Sequence, residues 1–202
     1  MENMQHRFHF RFGRRDAVTL LLAAGMALTA QAQSIGVSEM MFAPPAAAIT
    51  NWPTESYEFI ELHNAGSNYN LQGCYFSSGI TFTFSNTLVL ASNGYLAIAR
   101  NRDAFTNRYP SASNLAPQAY SGQLANDGEK ITLKEPGGNT LCSFTYGVGG
   151  AWPPRALGLG ASMVLRSPTA NRDIATNWCH SDALFGTPRA SNLCALNDLV
   201  IN

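Results

Sequence analysis

The apolar residues of this chain fall in short runs, and several of those runs alternate with the two-residue period of a half-buried strand. Ile35 to Phe42 alternates loosely and stops at Pro44-Pro45, where a missing amide donor bars further strand pairing. Tyr57 to Leu62 alternates better, with Phe59 and Ile60 bracketed by Glu58 and Glu61, and Asn64-Ala65-Gly66 closes it with a turn signal. Cys74-Tyr75-Phe76 and Ile80 to Phe84 are β-rich runs separated by Ser77-Ser78-Gly79. Tyr95 to Ala99 is continuously apolar, which suits a strand buried on both faces. Lys130 to Lys134 and Leu141 to Tyr146 flank Pro136-Gly137-Gly138, a hairpin signal, and Met163 to Leu165 is the last clear strand. One helix is expected, over Arg102 to Tyr109, with Asp103 as its N-cap. Short strands with turns roughly every 8–12 residues predict an all-β sandwich with one short helix at most.

Residues 1–32 stand outside that pattern. Arg7, Arg11, Arg14 and Arg15 form a basic segment, and Ala17 to Ala30 is an apolar run too short to span a bilayer as a helix. Ala30-Gln31-Ala32 places small residues where a signal peptidase reads them. This is the pattern of an export signal. Arg14-Arg15 fits either a twin-arginine or an ordinary secretory leader. The expected destination is the periplasm, the cell surface or the exterior, with no transmembrane segment in the mature chain.

Cleavage changes the charge. The full chain has 13 cationic and 13 anionic side chains. Losing four arginines, Glu2 and Asp16 leaves nine against eleven, a net charge of −2. A nucleic-acid binder carries a basic face, so this charge argues against nucleic acid as a partner. Cys74, Cys142, Cys179 and Cys194 all remain, and an even count in an exported chain points to disulfides. None has CxxC spacing, which argues against a zinc site. Spacing leaves three pairings open. Cys179–Cys194 is favoured as the nearest pair, and Cys74–Cys142 follows by elimination.

The strings along the chain also carry a resemblance. EFIELHNAG from Glu58, LQGCYFSSG from Leu71, ITFTF from Ile80 and LVLASNGYLAIARN from Leu88 come in order. They are followed by SGQLANDGEKITL from Ser121, FTYGVGGAWP from Phe144, GLGASMVLRSP from Gly158, Asn177-Trp178 and GTPRASN from Gly186. In this order and spacing they resemble the lamin-tail domain, here of the bacterial secreted type. The resemblance implies an immunoglobulin-like sandwich over 33–194, a short helix carrying Phe105, and a Trp-Pro at Trp152 without an assigned ligand. It also makes Leu199-Val200-Ile201-Asn202 similar to the opening strand of a further such domain, counterpart to Ile35-Gly36-Val37-Ser38-Glu39, so that 195–202 is a tail or the start of one.

The chemical inventory is thin. Gly158-Leu159-Gly160-Ala161-Ser162 lacks the third glycine and the following helix of a dinucleotide loop, and reads as a tight turn into a strand. His180, Ser181 and Asp182 are adjacent, and three neighbours cannot assemble a hydrolytic triad. Glu58 and Glu61 fall on opposite faces of a strand, so backbone amides are their expected partners. Asn126, Asp127 and Glu129 share a turn but supply too few oxygens for calcium. No catalytic residue, metal or cofactor is expected. Trp152 and the arginines Arg100, Arg102 and Arg108 are the candidate binding residues, through loops that meet a partner.

The expected function is therefore a non-catalytic exported module that binds a protein or a cell-envelope component. The alternative is an accessory domain of a larger secreted enzyme, a hydrolase, nuclease or spore-coat-kinase-like protein, cut after Asn202. Export sets a direct check. N-terminal sequencing of the secreted product should begin at Gln33, and a mature chain that keeps Arg14 would sink the signal-peptide reading.

Overall fold

The computed structural model describes residues 35–46, 52–111, 113–188 and 194. The residues 1–32 assigned above to a leader and the tail 195–202 lie outside them. Eleven strands and one α-helix are described, and the strands form three antiparallel sheets. In chain order they are β1 Ile35–Met41, β2 Phe59–Asn64, β3 Tyr69–Asn70, β4 Tyr75–Ser78, β5 Phe82–Thr83, β6 Val89–Leu90, β7 Tyr95–Ala99, α1 Arg102–Arg108, β8 Lys130–Lys134, β9 Thr140–Thr145, β10 Met163–Leu165 and β11 Trp178–His180. One sheet runs β11-β10-β1-β2-β7 and a second runs β5-β4-β8-β9, while β3 and β6 form a small ribbon.

The two larger sheets enclose the main core, which makes this an immunoglobulin-like sandwich. Val37 and Met40 from β1, Ile60 and Leu62 from β2, and Leu96 and Ile98 from β7 meet Phe76, Ile131, Leu133 and Phe144 from the other sheet. Each such side chain is worth about 1.5–3 kcal/mol when fully buried. Phe144 stacks on Trp178 with ring centroids 5.5 Å apart.

The five-stranded sheet is also covered on its outer face. Every residue of β1 and β2 is buried, and only Tyr95 of β7 is partly open. Helix α1 supplies the cover: Phe105 packs on Met41, Phe59, Ala97 and Ala99, and Phe185 joins the same cluster. The expectation that Tyr95 to Ala99 is apolar on both faces follows from this double packing.

Local chemistry explains the boundaries. The Asn64 side chain accepts from Gly66 N at 2.9 Å and so closes β2. Gly138 takes φ +87°, a left-handed turn that suits glycine, and its N–H bonds Glu135 O at 2.9 Å to join β8 to β9. The helix departs from expectation. Its N-cap is Asn101, whose side chain accepts from Asp103 N and Ala104 N, while Asp103 sits inside the first turn where it favours the helix dipole. Glu58 falls just outside β2, because Thr54–Tyr57 is a 3-10 turn. Strands β3, β6 and β11 were not anticipated, being two or three residues long.

The cysteines confirm one pair and correct the other. Cys179 and Cys194 form a disulfide with Cα atoms 5.6 Å apart. Cys74 and Cys142 are buried thiols. Cys74 immediately precedes β4 and Cys142 lies on β9, and β8 runs between those strands. Two ladder spacings amount to about 10 Å, beyond the roughly 7 Å that a disulfide can bridge. Non-reducing peptide mapping should recover Cys179 joined to Cys194. Cys74 and Cys142 should resist alkylation in the folded chain and react fully in denaturant; a Cys74–Cys142 peptide would refute this.

Candidate functional site

Three polar clusters are buried in the sandwich, one on the β1–β2 pair and two held by residues outside the strands. Glu58 is the first. Its carboxylate accepts from Tyr120 Oη at 3.0 Å, from Leu124 N at 3.0 Å and from Arg100 Nη1 at 3.2 Å. Burial pushes its pKa up, and those three donors oppose the rise. The expected backbone-amide partner is thus present at Glu58. A cleft of about 270 Å³ adjoins this carboxylate, walled by Phe42, Pro44, Glu55, Asn126 and Leu157.

Glu39 and Glu61 form the second cluster. They stand directly opposite each other in the β1–β2 register, both fully buried. The register shifts between Val37 and Glu39, so Ser38 is bulged, and its hydroxyl donates to Glu61 Oε1 at 2.6 Å. Glu39 Oε1 accepts from Ser162 Oγ at 2.5 Å and from Thr187 N at 2.9 Å. Gly186 lies against the same carboxyl, where a Cβ would come within 2.2 Å of Oε1. Burial first, and the facing Glu61 second, raise the Glu39 pKa to about 8. Burial beside a second carboxyl thus favours the protonated form of Glu39. Two facing carboxyls with a retained proton resemble an acid–base pair in outline, but Gly186 and Thr187 seal this one from substrate.

Arg172 is the third. Its Nε donates to Val37 O at 2.8 Å and its Nη2 to Pro168 O at 3.2 Å. The guanidinium lies flat on Gly36, where a Cβ would sit 2.5 Å from Cζ. Burial lowers the Arg172 pKa, and burial and then Arg172 lower that of His63, which stacks on Tyr95 at 4.4 Å.

The binding residues proposed from sequence are not brought together. Arg100 is engaged with Glu58, and Arg108 lies over the Phe185 ring, 3.4 Å from its centroid. Arg102 is exposed at the start of α1. Trp152 is half-buried, 6.4 Å from the Trp178 ring, with its indole nitrogen over Gly147. His180 Nε2 faces Arg155 Nη1 at 3.4 Å, whereas Ser181 Oγ donates to Ala183 O and accepts from Ser162 N. Glu129 is turned onto Ala125 N and Tyr146 Oη. No group of three or more His, Cys, Asp or Glu that could hold a metal occurs among the described residues. Sequence reasoning missed Glu39, Arg172 and Phe185. Only the strand register could have found the role of Glu39, which the sequence shows simply as the end of the string Ile35-Gly36-Val37-Ser38-Glu39.

An antiparallel sandwich with its polar groups turned inward defines an immunoglobulin-like module. The particular family follows from comparison: the model of the Lamin Tail Domain matches residues 28–148, and the chain belongs to that family. No curated protein and no solved structure matches. Strands β10 and β11 lie beyond the matched span, yet they extend the sheet on the free side of β1.

The proton on Glu39 sets a sign. The folded chain binds it more tightly than the unfolded chain does, so stability is greatest below about pH 4.5 for this group. It is lost as pH rises toward about 8. The slope approaches about 1.4 kcal/mol per pH unit. Glu39→Gln should flatten the fall in denaturation midpoint between pH 5 and 8 and leave the variant more stable than the parent at pH 8. Parallel curves for the two proteins would show that Glu39 is ionised in the fold.

Proposed function

We propose that this chain is an exported, non-catalytic lamin-tail module that acts by binding a protein or cell-envelope component. The observation that carries the reading is the division between inside and outside. The buried ionisable side chains are committed to bonds within the fold, with Glu58 on Tyr120, Leu124 and Arg100, and Glu39 on Ser162 and Thr187. Catalysis needs an acid, base or nucleophile within reach of substrate. Exposed leucines gather elsewhere. Leu157 and Leu159 flank the turn through Gly158 and Gly160, and Leu184 lies against Gly160 beside Pro45. Leu157 also borders the cleft next to Glu58. Several exposed leucines in one place are a feature of contact surfaces.

Within this reading the leucine turn is the contact surface, and Arg102 and the half-buried Trp152 are separate candidate contacts on other parts of the module. The partner is a folded protein or an envelope polymer rather than a nucleic acid, since the mature chain is weakly acidic. The test uses purified residues 33–202. Hydrolase, nuclease and kinase assays should give no turnover, and an envelope fraction should yield a partner whose binding falls about tenfold or more in Leu157→Asp/Leu159→Asp. Turnover that disappears on His180→Ala would overturn the proposal. A partner bound equally by the double aspartate variant would remove the leucine turn from it.

A further inference from the structure

Phe185 stands out among the described residues. It is buried, it is not glycine, and yet its φ is +69°. A bulky side chain adopts that backbone only where its surroundings over-determine it. They do so here at four points. Its N–H donates to Gly160 O, and its carbonyl accepts from Tyr109 Oη. Its ring lies under the Arg108 guanidinium and packs with Met41, Phe59 and Phe105 on the outer face of the sheet. The next residues, Gly186 and Thr187, close over the Glu39 carboxyl.

The segment that carries it, Ala183 to Pro188, belongs to no strand or helix. Its Phe185 joins the smaller outer cluster and not the main core between the sheets. One end leaves β11 at His180. Farther along the chain, Cys194 is joined to Cys179 of β11 by the disulfide and makes a single bridge with Ser181. The covalent link closes a loop with a sequence separation of 15. Cutting it gives the segment back the conformational entropy that loop closure removed, while the strained Phe185 backbone is relieved by leaving. Nothing in the ladders of β1, β2 and β7 depends on that link.

We propose that Ala183 to Pro188 is a thiol-releasable strap: the Cys179–Cys194 disulfide holds Phe185 as a plug in the socket formed by α1 and the outer sheet face, and its reduction unplugs that face while the sandwich stays folded. The reductant is a dithiol. One thiolate attacks the Cys194 sulfur, because Cys179 is fully buried and Cys194 is not. Cys179 leaves as a thiolate and takes a proton. The second thiol of the reductant then displaces Cys194 as a thiol, so that the protein disulfide gains two electrons and two protons and the dithiol becomes a disulfide.

The experiment reduces the oxidised, already folded protein with dithiothreitol and follows amide hydrogen exchange by residue. Exchange at Phe185 and Thr187 should accelerate on the order of 100-fold, with Ile60 and Leu62 in β2 unchanged. Iodoacetamide should then label Cys194 while sparing Cys74 and Cys142. Cys194→Ser should show the same local acceleration without reductant. Three results would overturn the strap: a disulfide that dithiothreitol cannot cleave in the folded chain, unchanged exchange at Phe185 and Thr187 after cleavage, or a loss of protection that includes Ile60 and Leu62.

Discussion

The β1–β2 ladder is the constraint from which the rest of the structure follows. All residues of both strands are buried, so the pair has no face left for water. In a sandwich one face of each sheet packs on the core, and the other is commonly solvated. Here the second face must be covered as well, and it is covered by a seven-residue helix and by the strap around Phe185. Burial on both sides also removes solvent as a partner for any polar residue the strands carry. Glu39, Glu61, His63, Asn64 and Ser38 all lie on this pair, and each has to find a hydrogen-bonding or stacking neighbour within the protein.

The solutions differ with the residue. Asn64 spreads its amide over the backbone oxygens of Ser67 and Leu90 and its carbonyl onto Gly66, so a buried polar side chain becomes a clamp on the β2 turn. Ser38 is thrown out of register by a bulge and so reaches Glu61. Glu39 has no cation beside it, only hydroxyl and amide donors, and desolvation then outweighs those donors, so the proton stays. Gly36 solves a different problem: it leaves room for Arg172 to lie on the strand, and any side chain there would displace the guanidinium from Val37 O.

This is why the sequence was informative about strands and much less so about what touches them. The runs Tyr95 to Ala99, Lys130 to Lys134 and Met163 to Leu165 coincide with β7, β8 and β10, because alternation and turn residues are local properties. The helix was legible too, but its cap was placed two residues late: Asn101 and Asp103 are both good caps, and only the geometry shows which side chain turns back on the amides. The Glu39–Glu61 pair depends on the register between two strands and joins residues far apart in sequence. The Cys74–Cys142 pairing failed for a similar reason, since elimination among four cysteines knows nothing of the strand that runs between two of them. Phe185 was the least legible of all. A left-handed phenylalanine is invisible in composition and period, and it makes sense only beside Arg108 and Tyr109, which lie more than seventy residues earlier in the chain.

A fold organised in this way separates its polar chemistry from its surface. Glu39, Glu58 and Glu61, the buried Arg172, and His63 and His180 are turned inward and held within the fold. What faces outward is the product of different requirements. The turn through Gly158 and Gly160 needs positive φ at both glycines, +71° and +97°, to lead into β10. Along that path Leu157 and Leu159 are exposed. Leu184, next to the buried Phe185, is exposed as well. The exposed leucines and the buried plug thus meet at one point: the loop through Gly160 that leads into β10 accepts from the Phe185 N–H and lies against Leu184, while Leu157 of the same loop borders the cleft beside Glu58.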